Sequence, residues 1–353
     1  MGLVLGIESS CDETAAAVVR DGREVLSSIV ASQAALHAPF RGVVPEIASR
    51  SHLREIVPTI EAALEQARVS PRELTGVAAT SQPGLVGSLL VGASAAKAFA
   101  WLHELPIVAV DHIAAHLYAA LMEGAPTQLP ALALVASGGH TALYYYKNPL
   151  EFEMLGCTND DAAGEAFDKV AAILGLGYPG GPAIERVAFG VDPKPAAIAV
   201  PRVSSGPFDF SFSGLKTAVR YRVLPPGAKE KRHLTESEIA TLAAGFQHAA
   251  VEHMALITMA AARARGARTI LVGGGVACND LLRKRLASAC APDGLDLRIP
   301  RPALCSDNAA MVAGLGAAML DAGRRDDLGF PIYPSGVPQV HSSSPAPAEV
   351  RRP

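Results

Sequence analysis

The sequence predicts an α/β protein made of two duplicated lobes, each with a mixed sheet, and a ligand cleft between them. Three observations carry that reading. First, GLVLGIESSCDETAAAVVR (2–20) and ALALVASGGHTALYYY (131–146) repeat one pattern: an apolar strand-like run, a short polar turn and a second apolar run. Second, the strands of the first half form a meander and then alternate with helices, which implies a mixed sheet with helices on its faces. Third, 353 residues, 50% of them hydrophobic and 18% charged, suffice for two domains around a large core.

The elements follow in order. The first lobe, 1–128, reads as strands at 2–10, 14–20 and 24–31, a helix near 46–68, a strand and turn at GVAATSQPG (76–84), a small-residue helix at 86–102 and a strand at PIVAVDH (106–112). The second lobe, 129–330, opens with a hairpin (131–147) and a helix at about 162–175. An irregular insertion at about 177–235, rich in Pro, Gly and charge, precedes a long helix at 236–265. A strand ending in glycines (267–276), a helix (278–290), a strand (295–300) and a closing helix (307–323) complete it. The closing helix is expected to pack on the first lobe, and 331–353, rich in Pro, Ser and Val, to form a disordered tail. Two lobes of this strand order describe the actin-like ATPase (RNase H-like) architecture.

Composition excludes several classes. No apolar run reaches the length of a membrane span. The start, MGLVLGIESS, reads as a first strand and not as a signal peptide. Five widely spaced cysteines without a CxxC argue for a reducing, cytoplasmic setting and against a cysteine-based zinc site. A net charge of −3 speaks against a general nucleic-acid binder, although a local basic patch is compatible with it.

Both repeated turns are candidate anion sites, because Gly and small hydroxyl residues leave backbone N–H groups open to phosphate. His112 and His116 in VDHIAAHLYAAL (110–121) lie one helical turn apart, a spacing that suits two ligands of one metal. An isolated HxxxH is more often two unrelated polar residues. Ile113 stands where a zinc peptidase carries its catalytic Glu. Asp307, before the closing helix, is a candidate third ligand, with an N-cap as its ordinary role. Gly273, Gly274 and Gly275 precede a helix that holds Asn279, an arrangement open to a ligand and equally suited to tight packing. In DDAAGEAFDK (160–169), Asp160 and Asp161 read as ordinary first-turn acids and Asp168 as an acceptor for ligand hydroxyls. GYPGGP (177–182) reads as a helix stop. FDFSFSGLKT (208–217) reads as a strand or a loop over the cleft. The basic residues near it, Lys216, Arg220, Arg222, Lys229, Lys231, Arg232 and His233, are a candidate RNA surface; a solvated charged face is the commoner explanation.

Taken in order, LGIESSCDET, GVVPEIASRSH, GLVGSLLVG, HIAAH, SGGHT, DDAAGEAFDK, GYPGGP, FSFSGLKT, GGVACN and CSDNAAM closely resemble the tRNA threonylcarbamoyltransferase family, from about residue 3 to 323. That family lies within the actin-like ATPase superfamily and once carried the name O-sialoglycoprotein endopeptidase. The resemblance implies transfer of a threonylcarbamoyl group from threonylcarbamoyl-AMP to the N6 amine of the adenosine immediately 3′ of the anticodon, in tRNAs reading codons that begin with A. It implies one divalent metal, iron or alternatively zinc, on His112, His116 and Asp307. It places substrate contacts at Val135, Ala136, Ser137, Gly138, Gly139, Asp168, Gly181 and Asn279, with a further ribose contact at Glu185. No residue is assigned as a nucleophile, since the donor is an activated mixed anhydride. The bacterial-type motifs imply a dimerising paralogue and a small ATPase as partners, besides tRNA, and no membrane.

Three rival readings remain open at this point. An ATPase or sugar kinase of the same superfamily would bind Mg-ATP without the histidine pair. A metalloprotease would need the missing Glu. A non-enzymatic scaffold would bind nucleotide within a complex and modify nothing.

Overall fold

The computed structural model describes residues 2–40 and 42–335. Its first sheet contains β1 (Leu3–Glu8), β2 (Glu13–Arg20), β3 (Glu24–Ser32), β4 (Gly76–Gln82) and β5 (Ile107–Asp111) in the order β3-β2-β1-β4-β5. The second contains β6 (Ala131–Ala136), β7 (Thr141–Asn148), β8 (Glu151–Cys157), β9 (Thr269–Gly273) and β10 (Asp296–Arg298) in the order β10-β9-β6-β7-β8. Both sheets share one pairing pattern. The first three strands are antiparallel, and the last two join parallel to the first. The sequence hairpin at 131–147 is therefore a three-stranded meander. Its third strand, EFEMLGC, lacks the apolar alternation that betrays a half-buried strand.

Helices α1 (Ala34–His37), α2 (Pro45–Ala67) and α3 (Val86–Leu102) follow the first meander, and α4 (His112–Ala119) follows β5. The second lobe adds α5 (Ala163–Leu174), α6 (Gly180–Ala188), α7 (Ser213–Val223), α8 (Glu236–Arg265), α9 (Asp280–Cys290) and α10 (Pro302–Cys305), and α11 (Ala309–Asp321) closes the fold. Helices α2 and α3 pack on one face of the first sheet, and α4 and α11 lie on the other. One apolar cluster runs from β1 and β2 through α4 and α11 to β6 and Leu271, so those two helices are the layer that joins the lobes. A second large cluster holds α5 to α9 against the other face of the second sheet.

Helix α11 is made almost wholly of Ala, Gly, Met and Leu, and eleven of its thirteen residues are buried. Small residues allow it to lie close on the sheet. A Cβ on Gly6 of β1 would stand 2.3 Å from the Ala309 carbonyl oxygen and 2.6 Å from the Ala313 nitrogen.

Three expectations change against the structure. The insertion at 177–235 is only partly irregular, since it contains α6 and α7. GYPGGP does not merely stop a helix; it starts α6, whose first N–H, on Gly180, donates to Asp168 Oδ1 at 2.6 Å. Residues 331–335 do not leave the protein as a tail. Phe330 and Ile332 pack on the first lobe, Tyr333 N–H donates to Ser81 O (2.9 Å), and Gly84 N–H donates to Pro334 O (2.9 Å). The rest of that tail, 336–353, lies outside the described residues.

Gly6→Ala should therefore force α11 off β1, because the atoms in its way are backbone. Overpacking of this kind costs about 1–3 kcal/mol. A urea unfolding curve with an unchanged midpoint would show that the helix can slide to make room.

Candidate functional site

Helix α4 begins where β5 ends. The Asp111 carboxylate caps it, accepting from Ala114 N–H at 2.9 Å, and this places His112 and His116 on successive turns of one face. The rings meet edge to face with centroids 4.6 Å apart. Asp307 approaches from the segment before α11. Its Oδ1 lies 3.1 Å from His116 Nε2 and 3.6 Å from His112 Nε2. Asn308, and not Asp307, caps α11, accepting from Met311 N–H at 3.0 Å. Asp307 is thereby released from the capping role that its position suggests.

Behind His112 stands Glu8, the last residue of β1, with no solvent exposure. Glu8 Oε2 pairs with His112 Nδ1 at 3.0 Å and accepts from the Thr80 hydroxyl at 2.6 Å; Oε1 accepts from Ser10 N–H at 2.5 Å. Burial pushes the Glu8 carboxyl up, but His112 outweighs it and holds the group below the usual range. Burial pushes the His112 imidazole down, but Glu8 and then Asp307 raise it to about 9. Burial and the neighbouring His112 together lower His116. Burial raises the Asp307 carboxyl, yet the two histidines hold it far below its ordinary value.

The three ligand atoms of His112, His116 and Asp307 all lie within 4.8 Å of one another. Two imidazoles and one carboxylate, with room on the cleft side, match the donor set of a divalent transition metal. One further observation agrees with such a cation: two carboxylates, Glu8 and Asp307, converge on this small volume. His116 Nδ1, on the far side of its ring, is buried without a hydrogen-bond partner among the described residues.

One cavity opens at this centre, and a second shares part of its wall. The larger, about 630 Å³, lies between the lobes. Ser10, Cys11, Asp12, Gly84 and His112 line one wall; the turn at 137–140, Asp168, Lys169 and Asp307 line the other. The smaller, about 330 Å³, lies within the second lobe and shares Gly138 and Asp168 with the larger. Gly181, Glu185, Gly275, Cys278 and Asn279 also line it. Seven of the nine sequence-predicted substrate positions, Ser137, Gly138, Gly139, Asp168, Gly181, Glu185 and Asn279, thus line one or both of these two cavities. The other two, Val135 and Ala136, are fully buried in β6 and line neither cavity.

The repeated turns differ. A Cβ on Gly138 or Gly139 would meet nothing within 4 Å, so this turn is open to a ligand. The first turn is closed on itself. Ser9 Oγ donates to Ser88 O (2.8 Å), Ser10 Oγ lies 3.2 Å from His112 Nδ1, and Ser10 N–H is spent on Glu8. Its phosphate-binding reading therefore does not extend to Ser10. Sequence reasoning passed over Glu8 as part of that turn. Its signal was a carboxylate closing an otherwise apolar strand, LVLGIE.

Three motifs acquire other roles. Asp160 lies before α5 and is no first-turn acid. It accepts from the Ser211 and Ser213 hydroxyls (2.5 and 2.7 Å) and from Phe212 and Ser213 N–H (2.8 and 3.2 Å). It thereby fixes the start of α7 beside the buried Phe210 and Phe212. FDFSFSGLKT is consequently a loop running into a helix. Asp161 binds both Lys169, at 2.6 Å, and Lys216, which ties the basic segment to the cleft rim.

The chain matches the profile of the TsaD family, tRNA N6-adenosine threonylcarbamoyltransferase, over residues 24–314. It belongs to this family. A relative from Sorangium cellulosum (strain So ce56) named tRNA N6-adenosine threonylcarbamoyltransferase is 49% identical over 351 residues, covering 96% of this chain and 97% of that protein. One of the same name from Geobacter sp. (strain M21) is 52% identical over 336 residues, covering 94% and 96%. Among solved structures, T. kodakarensis HypF superposes with a TM-score of 0.59 at 16% identity, over 91% of this chain and 48% of that one. Component A of the Acidaminococcus fermentans (R)-2-hydroxyglutaryl-CoA dehydratase gives 0.51 at 16%, over 92% and 100%. At these identities the likeness is one of fold, and it agrees with the two-lobed α/β architecture of mixed sheets. Among the described residues, no helix is long and apolar enough to cross a membrane.

Asp160→Ala should remove four hydrogen bonds from the start of α7. Loss of partners for two backbone N–H groups in a partly buried site costs about 1–3 kcal/mol. Hydrogen exchange at Phe212 and Ser213 should rise well before global unfolding; unchanged protection there would assign the loop's order to Phe210 and Phe212 alone.

Proposed function

We propose that the protein transfers the threonylcarbamoyl group of threonylcarbamoyl-AMP to the N6 amine of the adenosine immediately 3′ of the anticodon, in tRNAs reading codons that begin with A. The observation that supports it most is the shared wall. The cavity lined by Asp168, Gly181, Glu185 and Asn279 shares Gly138 and Asp168 with the cleft lined by His112 and Asp307. A nucleoside in the smaller cavity would set its phosphate at the open 138–139 turn and its acyl group toward the histidines.

The protein's own groups then have defined work. Gly138 and Gly139, free of side chains, admit the phosphate to the backbone. Asp168 and Glu185 each spend one oxygen on a backbone N–H, of Gly180 and Asp280, so both carboxylates are fixed before a ligand arrives. Asn279 is held from both ends, accepting from Leu282 N–H (3.0 Å) and donating to Gln247 (3.4 Å). The attacking amine is a poor nucleophile because its lone pair is delocalised into the ring, so positioning supplies much of the acceleration. Attack forms the new N–C bond, the bond from the carbonyl carbon to the phosphate oxygen breaks, and AMP leaves, while the proton lost from the N6 amine passes to the departing phosphate or to solvent. A divalent metal on His112, His116 and Asp307, which we assign as iron with zinc as the alternative, would supply Lewis acidity toward the donor's oxygen atoms. Glu8 orients the His112 ring by accepting from Nδ1, which directs Nε2 toward the ligand position.

A dimerising paralogue and a small ATPase are inferred as partners. The support on this chain is an uncovered apolar face on the neighbouring helices α2 and α3, formed by Leu53, Val57, Val86 and Leu90. Work on tRNA accords with a cytoplasmic site of action.

The deciding experiment is reconstitution with threonine, bicarbonate, ATP, the adenylate-forming enzyme, the candidate partners and tRNA, followed by mass spectrometry of digested nucleosides. Wild-type protein should yield the modified adenosine. His116→Ala should reduce its rate by about 100-fold or more, the loss of several kcal/mol of charge stabilisation. ATP hydrolysis indifferent to His112→Ala, with no modified nucleoside under any partner combination, would favour the kinase-like reading instead.

Glu8→Gln keeps a hydrogen-bonding group but removes the charge behind His112. Metal retention against a chelator should weaken by about 10- to 100-fold. Equal retention in mutant and wild type would confine Glu8 to packing.

A further inference from the structure

Cys278 ends the 3-10 turn at Gly275–Cys278 and lines the smaller cavity. Cys305 ends α10 and is fully buried. The two segments pack together. The two thiols also share a short stretch of backbone, since Cys278 donates to Pro302 O at 3.7 Å and Cys305 to Pro300 O at 3.3 Å. One guanidinium ties both sides. Arg283 donates from Nε to Ala277 O (2.6 Å) and from Nη2 to Pro300 O (2.7 Å) and Cys305 Sγ (3.2 Å). A half-exposed thiol packed beside a second, buried thiol that a fixed guanidinium contacts is an arrangement open to a reactive and a resolving cysteine.

We propose that Cys278 and Cys305 are a redox-responsive pair that a hydroperoxide converts to a disulfide in the wall of the smaller cavity. The Cys278 thiolate attacks the peroxide O–O bond, giving a sulfenic acid and releasing water or an alcohol as the distal oxygen takes a proton. The Cys305 sulfur then displaces the sulfenic hydroxyl, its own proton leaving with that hydroxyl as a second water. Two thiols are oxidised by two electrons in all, and the peroxide is reduced by two. A dithiol reductant reverses the bond.

The surroundings favour attack by Cys278. The hydrogen bond from Cys305 lowers its thiol, burial opposes this, and Arg283 lowers it again, leaving about 7. Cys157, by contrast, is raised by burial and by Asp209. The consequence for activity rests on the proposed function. Cys278 precedes Asn279, and Cys305 stands two residues before Asp307, so a bond between them would pull on both the nucleoside cavity and the candidate metal centre.

The test begins with the reduced full-length protein. At neutral pH, iodoacetamide should alkylate Cys278 at least about tenfold faster than Cys157, allowing for the lower intrinsic nucleophilicity of a low-pKa thiol. After treatment with hydrogen peroxide and denaturing alkylation, peptide mass spectrometry should find one 278–305 linked pair, two hydrogens lighter than its reduced components. The pair should vanish with dithiothreitol and be absent from Cys278→Ser and Cys305→Ser. Wild-type protein whose Cys278 proceeds to sulfinic acid without a linked peptide, or whose Cys278 reacts no faster than Cys157, overturns the proposal. If Cys305→Ser fails to fold, Cys278→Ser and the wild-type linkage decide alone. These readouts do not use transferase activity, so they stand or fall apart from the proposed reaction. Binding of an adenylate analogue, compared before and after linkage, then measures the effect on the cavity.

Discussion

A carboxylate with no access to water must be balanced by a positive charge, and much of this site follows from that requirement at Glu8. Its position at the end of β1 is fixed by pairing to β2 and β4. Ser10 N–H and the Thr80 hydroxyl satisfy part of its oxygen lone pairs, but neither brings charge. His112 does, from the first residue of α4. The same pairing fixes the His112 ring, and α4 geometry then fixes His116. Asp307 completes the group from the far end of the chain, held by α11 against the first sheet. Glu8 and His112, about a hundred residues apart, thus meet because a buried charge cannot stand alone, and the histidine pair in turn offsets the charge of Asp307.

The duplication explains why the two turns came to differ. Each follows the first strand of its sheet, so each faces the cleft from a matching place. In the second lobe, Gly138 and Gly139 leave the turn open, while Ser137 and His140 close its base. In the first lobe, the equivalent residues carry side chains that turn inward on Ser88 and His112, and the Ser10 N–H is taken by Glu8. One copy remained available to a ligand, and the other became the support of the histidine pair.

The sequence revealed these features unevenly, and the reasons are physical. The strand order was legible because a parallel strand buried on both faces and a meander leave different hydrophobic patterns. β8 was not, because its residues alternate poorly. The Gly/Pro run at 177–182 was read as a stop because such residues end helices far more often than they begin them; what makes it a start is Asp168, twelve residues earlier, reaching Gly180 N–H. Local pattern cannot show a partner supplied across a helix crossing. The histidine pair was visible as spacing alone. Glu8 behind it was not, since nothing local distinguishes a charge that ends a strand at the surface from one that ends it in the core.

The smaller cavity, the proposed nucleoside site, is walled without free flexible side chains. Three of its predicted contacts, Asp168, Glu185 and Asn279, also satisfy the first N–H groups of α6 and α9. Those helices therefore begin at the cavity, and their positive dipole ends face it. A carboxylate or amide already committed by one atom to a helix start has few rotamers left. Its remaining polar surface is presented at a fixed place, and little side-chain entropy is lost when a ligand binds. The capping role and the binding role are then one constraint, because a substitution that frees the side chain also frays the helix that shapes the cavity. Loss of ligand affinity at these positions should accordingly include a structural part, whereas Gly138 and Gly139, which cap nothing, separate contact from scaffold.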